Sequence, residues 1–424
     1  MNIKMSAQKS TQIRLFFFDN LRSLMVILVL IFHSGASYGS MVSFWPFHDP
    51  NPMEFIDILM LLGDVFMMTI LFFVAGYFAL DTIQKKGTKN FLMGKVMRIG
   101  IPWLAITVLV LPVLDYIHYA TQSNNVGFVP RNFGMHWWLS MRKIAEFKIG
   151  RMHMSEYLNM TDHFYQRYMW FLSLLLLLFI IFTIFYKATR NQGWYAEKDT
   201  TSRKSIRFVL AGTALLSIAL FSIVKLFVSS PDNPFDMVWF SLGNILQFEL
   251  AKLAFYVPCF GLGVYARARK WFTEGRDIGR PGVWGWIVFV LLILNMFVGR
   301  AMTRSLEPSW ILQIAFLALY PLWTLSFLGF FISFAANRWN ASSRFNRELA
   351  SNSYGMYLAH YVFVMTLPLL LSGWVGGNVL IKFGLVSITT IILSYLVSRY
   401  MIQLRPRVLV AGMISLNLLL VVFR

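Results

Sequence analysis

Two histidines and the charged residues near them are the side chains of this chain best suited to chemistry. Asp19, Arg22 and His33 lie in one segment, and ten uncharged residues separate Arg22 from His33. At about 100° per residue, eleven positions make three helical turns plus about 20°, so Arg22 and His33 point to the same side of a helix. The rise of about 16 Å places His33 near the bilayer centre if Arg22 lies at the membrane surface. An ionisable group at that depth is a functional-site hypothesis, and a histidine that only hydrogen-bonds a neighbouring span is the alternative.

A second histidine ends another polar stripe. Ser353, Tyr357 and His360 are spaced by four and three positions, which puts them within about 60° of one another around a helix. Both histidines are predicted at similar depths, and each follows polar residues that lead in from the same side of the membrane. We therefore predict one shared polar cavity, which would be a buried reaction or transport site.

Charged residues in three other segments form a second group of candidates. Asp64 lies inside a predicted span and needs a partner, so a functional and a structural role are both open. Glu249 and Lys252 can pair at i, i+3, which would lower the cost of placing each in the membrane. Lys95 and Arg98 share a helix face at the inner end of another span. Two such cations could bind phosphates or a carboxylate, although ordinary membrane anchoring is favoured from this pair alone.

One long segment, 121–167, is the sizeable stretch predicted outside the membrane, as a partial cap on the outer side. It could bind an acceptor through aromatic and basic side chains, or it could be an amphipathic segment on the membrane surface. Trp170 follows at the start of the next span, where an interfacial tryptophan is expected for any function. The side chains of interest in the segment are His136, Trp137, Trp138, His153, Asp162 and His163.

The composition indicates which elements position these side chains. Of 424 residues, 57% are hydrophobic and only 13% are charged, whereas a soluble protein of this size needs more surface charge. Apolar blocks of about twenty residues are typical of membrane-spanning helices rather than of a barrel. We predict an all-α polytopic bundle of about 10–11 transmembrane helices, with a membrane domain over 1–400 and a short span or interfacial helix within 401–424. The ten clear spans are about 17–39, 55–80, 99–120, 168–186, 208–228, 244–266, 284–300, 310–334, 353–373 and 379–400.

Basic residues set the predicted orientation. Six segments on one side of the membrane carry 26 Lys or Arg, and the four short segments on the other side carry one. The positive-inside rule therefore puts the N-terminus in the cytoplasm. The net charge of +19 is then largely a signal of topology, and we predict no nucleic-acid partner. Cys259 is the single cysteine, and no Cys/His spacing resembles a metal site.

Five motifs, in this order along the chain, resemble those of the type-3 integral-membrane acyltransferase family, which O-acylates bacterial surface and periplasmic glycans. Ala75 stands where that family usually has serine, and Lys95 stands where it has arginine, so neither role transfers directly. The segment before Trp170 and the stretch from Gln247 to Trp271 resemble the branch that succinylates periplasmic glucans. The five motifs are Asp19-Asn-Leu-Arg22 with His33, Phe72-Phe73-Val74-Ala75-Gly76-Tyr77, Lys95-x-x-Arg98 with Pro102, Trp170-Phe171-Leu172, and Ser353-Tyr354-Gly355-Met356-Tyr357-Leu358-Ala359-His360.

The resemblance implies an O-acyltransferase of the bacterial inner membrane. Acyl-CoA would be a cytoplasmic co-substrate, with no tightly bound cofactor, and the acceptor would be a glycan hydroxyl. His33 would take the acceptor's proton or carry the acyl group itself. Arg22, Lys95 and Arg98 would bind the anionic donor, and Asp19 would hold Arg22 by an ion pair. The residues implied to line the cavity are His360, Tyr357, Ser353, Asp64 and Trp170.

A transporter is the alternative class of function. Ten spans with buried histidines would equally suit a flippase for acyl groups or lipid-linked sugar that makes and breaks no bond. The sequence shows no pair of matching broken helices in two halves, which is the pattern of many transporters. The lipid bilayer is a partner under either interpretation, and the oligomeric state stays open.

Overall fold

The computed structural model describes residues 15–42, 45–121, 130–152, 164–193, 195, 203–228, 238–272, 278–305 and 309–423. Among these residues, seven helical segments are long and apolar enough to cross a membrane, which confirms an all-α polytopic membrane protein. The helices are α1 (Phe16–Gly35), α2 (Glu54–Lys95), α3 (Ile101–Leu109), α4 (Leu111–Thr121), α5 (Phe133–Ala145), α6 (Trp170–Thr189), α7 (Arg203–Phe227), α8 (Leu253–Ala268), α9 (Pro281–Arg304), α10 (Trp310–Arg338), α11 (Arg344–Leu370), α12 (Val379–Leu396) and α13 (Pro406–Phe423).

Polar side chains mark where several helices begin. Ser309, Ser343 and Asn378 each precede a helix and accept a hydrogen bond from a backbone N–H in its first turn. Such N-caps satisfy one of the donors that have no partner inside the helix. They fix the starts of α10, α11 and α12, and the last two of these helices pack against α1.

Helix α2 is longer than predicted. The segment after the predicted span, 81–98, is helical up to Lys95 and continues as a π-helical turn over Val96–Gly100. Gly87 has a φ of +73° and interrupts the helix, in a conformation that glycine adopts at no steric cost. The inner end of α2 therefore extends the helix beyond the apolar stretch that hydropathy detects.

Two glycines allow α2 and α8 to pack closely. A Cβ on Gly76 would collide with the backbone carbonyl of Phe260, and one on Gly263 would collide with that of Phe73. Close approach of this kind is the usual reason for small residues at a helix interface in a membrane. Gly76 and Gly263 therefore each lie against the backbone of the opposite helix.

The predicted helical start of the sixth span was wrong. Trp239–Leu242 and Leu246–Glu249 form antiparallel strands β2 and β3, and the helix begins only at Leu253. Strand β1, Ile149–Met152, pairs with β2 and completes a three-stranded sheet in the order β1-β2-β3. The cause is the turn between β2 and β3, where Gly243 and Asn244 both have positive φ, as tight hairpins require.

The outer segment 121–167 contains α5 and β1 in its described part. His136 is buried against Tyr116 and Tyr119 of α4, Trp137 donates to the carbonyl of Val108, and Trp138 is exposed. His153, Asp162 and His163 lie outside the described residues. The helix α5 therefore packs on the bundle through one face.

The C-terminal helix α13 lies beside the same region. Asn417 donates a hydrogen bond of 2.9 Å to the carbonyl of Leu109 in α3, and a Cβ on Gly134 in α5 would contact Val421. The 408–423 segment is thus a helix that reaches from α3 to α5.

Candidate active site

The two histidines meet between α1 and α11. His33 Nδ1 lies 3.2 Å from His360 Nε2, and the ring centroids are 5.0 Å apart. His360 is fully buried, at 0% exposure, whereas His33 is partly exposed. The packing of α1 against α11 therefore brings the two rings to one location, as the sequence predicts.

His33 lies where α1 ends and the connection to α2 begins. His33 lies in the last turn of α1, because the helix ends at Gly35, which packs against Ile56 and Met60 of α2. Trp45 follows in the connection to α2 and is buried with its ring 6.4 Å from the imidazole of His33. The histidine pair thus lies at the C-terminal end of α1, next to the connection between α1 and α2.

Hydrogen bonding assigns the protons of both rings. His360 Nδ1 lies 2.6 Å from the carbonyl of Tyr357, and a carbonyl can only accept, so this nitrogen carries the proton. His360 Nε2 then has a lone pair and accepts from His33 Nδ1, which also lies 2.9 Å from the carbonyl of Val29. In its neutral form His33 therefore carries its proton on Nδ1 and keeps a lone pair on Nε2, as a base or a nucleophile needs.

Tyrosines surround the two histidine rings. Tyr361 lies edge-on to His33 at 5.3 Å, Tyr168 lies edge-on to His360 at 5.0 Å, and these two tyrosines stack on each other at 4.5 Å. Tyr357 is buried and donates to the carbonyl of Tyr168 at 2.5 Å. Tyr357 therefore holds the start of α6 against the histidines, in addition to supplying the carbonyl that fixes His360.

Arg22 connects α1 to the inner half of α11. It donates to Asp19 at 3.4 Å and to the carbonyl of Ala350 at 3.2 Å, so the predicted i, i+3 ion pair with Asp19 is present. Ser353 is buried and donates to the same carbonyl of Ala350 at 3.0 Å. Arg22 and Ser353 are thus brought together around one turn of α11, about three helical turns from the histidines.

Lys95 and Arg98 lie on either side of the point where α2 becomes π-helical. The π-helical turn starts directly after Lys95 and changes the angular spacing of the residues that follow. The Lys95 ammonium lies 3.8 Å from the ring centroid of Phe179, whereas Arg98 is exposed. Tyr354 of α11 donates to the carbonyl of Arg98 at 2.7 Å, so Arg98 stands one turn of α11 away from the carbonyl that Arg22 binds.

Asp64 and Trp170 lie in a second polar and aromatic group. Lys252 binds Asp64 at 2.6 Å and Glu249 at 2.8 Å, so the predicted Glu249–Lys252 pair is present and also supplies the partner that Asp64 requires. Trp170 stacks on Tyr256 with centroids 5.7 Å apart. Trp239 of β2 lies edge-on to Trp170 at 5.8 Å, which joins the sheet to the start of α6.

A third charged group was missed from the sequence. Arg167 binds Asp115 at 2.6 Å, its Nη2 lies 3.5 Å from His118, and its guanidinium lies close enough to Tyr361 for the two groups to interact electrostatically. Asp115 lies inside the third predicted span, and an ionisable residue in such a place is a signal that could have found it. Arg167 directly precedes the Tyr168-Met169-Trp170 stretch, and its partner is 52 positions away, so spacing alone could not have paired them.

Across the described ranges, no three His, Cys, Asp or Glu side chains cluster as metal ligands. The family model Acyl_transf_3, described as "Acyltransferase domain", matches residues 15–399, which include every residue of the three groups above. Searches among curated proteins and among solved structures gave no match.

Proposed function

Because the chain belongs to the Acyl_transf_3 family of acyltransferases and is built as a membrane bundle, we propose that it acylates a hydroxyl of a bacterial surface or periplasmic glycan. The proposed donor is acyl-CoA, which reaches the site from the cytoplasm as a co-substrate. The proposed location is the bacterial inner membrane. The observation that supports transfer most directly is the 3.2 Å contact between His33 Nδ1 and His360 Nε2, from which we infer a lone pair on His33 Nε2.

The reaction needs one base and one route for the proton. The acceptor hydroxyl gives its proton to His33 Nε2 as its oxygen attacks the carbonyl carbon of the thioester. A C–O bond forms, the C–S bond breaks, and the departing sulfur takes the proton from His33. While His33 is protonated, its Nδ1–H bond to His360 becomes charge-assisted and stronger. Tyr357 supports this arrangement by keeping the lone pair of His360 on Nε2.

A covalent route uses the same lone pair. His33 Nε2 could attack the thioester carbonyl first, release the thiol, and pass the acyl group to the acceptor hydroxyl in a second step. Incubation with radiolabelled acyl-CoA without acceptor separates the two routes. Label retained on His33 after denaturation supports the acyl-histidine, and its absence from a preparation that transfers the acyl group once acceptor is added supports direct transfer.

The donor is proposed to bind where α1, the π-helical turn and the inner half of α11 meet. Arg22 borders this region through Ala350, and Arg98 borders it through Tyr354. Cations at such a mouth attract the phosphates of a coenzyme A donor. Lys95 is proposed as a weaker donor contact because it already lies against Phe179.

The acceptor is proposed to enter from the outer side. The described part of segment 121–167 and the three-stranded sheet are predicted on that side, and the ring of Trp170 contacts that of Trp239 in the sheet. Aromatic rings of this kind offer apolar faces for sugar rings, with polar edges toward water. Asp64 would line this side of the cavity through its ion pair with Lys252.

Transfer by purified protein in detergent tests the proposal against transport. The protein is incubated with acyl-CoA and an extracted glycan, and acylated glycan is measured by mass spectrometry. An acyltransferase forms product without a sealed membrane. A transporter forms none, and that result with correctly folded protein would overturn the proposal.

A further inference from the structure

The guanidinium of Arg167 has one donor group that the fold leaves open. Arg167 is 2% exposed, its Nε binds Asp115, and its Nη2 faces His118. Its Nη1 is buried without a hydrogen-bond partner among the residues that the structure describes. A buried charged donor without a partner costs free energy, so a ligand that fills this position would recover part of that cost.

The open donor lies next to the histidine pair. The Arg167 guanidinium lies within electrostatic reach of Tyr361, and the ring of Tyr361 lies 5.3 Å from that of His33. Tyr168, which directly follows Arg167, contacts His360. The base and the open donor are therefore held against one pair of stacked tyrosines.

The backbone at Arg167 is also unusual. Its φ of +48° lies in the left-handed region, which few residues other than glycine adopt. The 3-10 turn Arg167–Met169 starts there and leads directly into α6. Such conformations persist where the surrounding structure holds them and concentrate at functional sites.

Charge balance indicates what the open donor binds. Asp115 already neutralises Arg167, so a permanent second carboxylate at Nη1 would be a buried charge in excess. An oxygen that becomes negative only during the reaction carries no such cost before the reaction starts. A fixed donor in a dry site stabilises that transient charge strongly.

We propose that Arg167 Nη1 donates to the carbonyl oxygen of the acyl group in the transition state, with Asp115 as its positioning residue. As the acceptor oxygen bonds to the carbonyl carbon and its proton moves to His33 Nε2, the carbonyl π electrons move to the oxygen that Arg167 faces. When the carbonyl re-forms, the C–S bond breaks and the sulfur takes the proton from His33. The guanidinium keeps its own proton throughout. This inference rests on the proposed acyl transfer.

The first test removes the donor without leaving a buried charge. In the double variant Asp115→Asn/Arg167→Gln we expect kcat to fall about 100- to 1,000-fold. KM for donor and acceptor should change less than about threefold, because the lost bond forms only in the transition state. The matched control is Asp81→Asn/Arg267→Gln, which removes another ion pair of 2.6 Å, between α2 and α8, and should leave kcat within about threefold.

The second test changes the carbonyl oxygen of the donor, which is the proposed hydrogen-bond acceptor of Arg167. A dithioester donor replaces the carbonyl oxygen by sulfur, a poor hydrogen-bond acceptor. The wild type should prefer the oxygen donor by a large factor, and the double variant should lose most of that preference. An equal preference in both proteins would overturn the role of Arg167.

A third variant, which retains the positive charge beside Asp115, separates loss of the donor from loss of the fold. Arg167→Lys keeps the charge beside Asp115 but lacks the planar fork, and it should lose kcat and the oxygen preference in the same way. If the wild type itself transfers no acyl group, the proposed function fails. If the wild type is active and both Arg167 variants keep its kcat, only the assignment of Arg167 fails.

Discussion

Each ring nitrogen of the histidine pair has a role that backbone carbonyls decide. The carbonyls of Tyr357 and Val29 accept hydrogen bonds, so the protons lie on the two Nδ1 atoms and His33 Nε2 keeps a lone pair. The spacing of Arg22 and His33, and of Tyr357 and His360, predicts which side chains meet. It does not predict the tautomers, because these depend on which carbonyl lies within hydrogen-bond reach after packing.

Substitution of Arg22 tests whether this residue binds the donor or only stabilises the fold. Arg22→Ala should raise KM for acyl-CoA about tenfold or more and change kcat less, because a charge-assisted contact worth about 1.5–3 kcal/mol is lost from the bound donor. Initial rates over a range of acyl-CoA concentrations measure this. The control is Arg300→Ala in α9, an exposed arginine on a different helix. A loss that saturating donor does not restore would make Arg22 structural, as a clamp on Ala350.

The pairing of Arg167 with Asp115 could not be predicted from the sequence around either residue. Asp115 lies inside a predicted span and so requires a partner, but nothing in the sequence indicates that the partner is Arg167. Their bond of 2.6 Å joins α4 to the 3-10 turn that precedes α6. Only the packing reveals that two charges far apart in sequence share one buried position.

At the scale of elements, the contact between α2 and α8 can be tested with two glycines of α8, one that contacts α2 and one that serves as a control. Gly263→Ala should destabilise the fold by about 1–3 kcal/mol, because the new methyl group would collide with the carbonyl of Phe73. Gly261→Ala on the same helix meets nothing within 4 Å and should be neutral or slightly stabilising. Thermal unfolding in detergent compares the two. Equal melting temperatures for both variants would contradict the close crossing.

The helix α5 carries a prediction about pH. Burial lowers the pKa of His136 from 6.5 to about 4, because the ring is enclosed by Tyr116 and Tyr119 and its charged form is desolvated. Asp115 opposes this shift, and three cations add to it. These cations are Lys143, Arg131 and Arg167.

The sign of the effect follows from the lowered pKa. The stabilisation from neutral His136 is complete above pH 6.5 and is lost as the pH falls toward 4, because the unfolded state binds the proton first. As the pH is lowered from 7 to 5, hydrogen exchange in α5 should therefore become faster relative to hydrogen exchange in α12. His136→Phe should remove this difference, and an unchanged difference in that variant would assign it to another group.

Secondary structure could be predicted where apolar runs are long, and the prediction failed where a turn interrupts such a run. The apolar blocks predict most of the spans within a few residues. The hairpin before α8 was missed because Trp239–Leu242 and Leu246–Glu249 are only four residues each, and the Gly243-Asn244 turn was assigned to a loop and to the start of a span. The extension of α2 was missed for the opposite reason, since its inner end is too polar for hydropathy.

At the scale of the whole molecule, the orientation in the membrane can be tested with two cysteines. Gly376 lies between α11 and α12 on the predicted outer side, and Gly282 lies at the start of α9 on the predicted inner side. A Cβ at either position meets nothing within 4 Å, and the native Cys259 is buried. In intact cells with a permeable outer envelope, a membrane-impermeant thiol reagent should label Gly376→Cys and should label Gly282→Cys only after lysis. The reverse pattern would invert the topology and place the donor mouth outside.

The central claim is that His33 carries the chemistry of acyl transfer, and one assay tests it most directly. Purified His33→Ala, folded as judged by its melting temperature, is given saturating acyl-CoA and glycan acceptor, beside the wild type and the control His48→Ala, which changes an exposed histidine after Trp45. Loss of the base should lower product formation by at least about 100-fold, while His48→Ala should match the wild type. Full transfer by His33→Ala would contradict the claim.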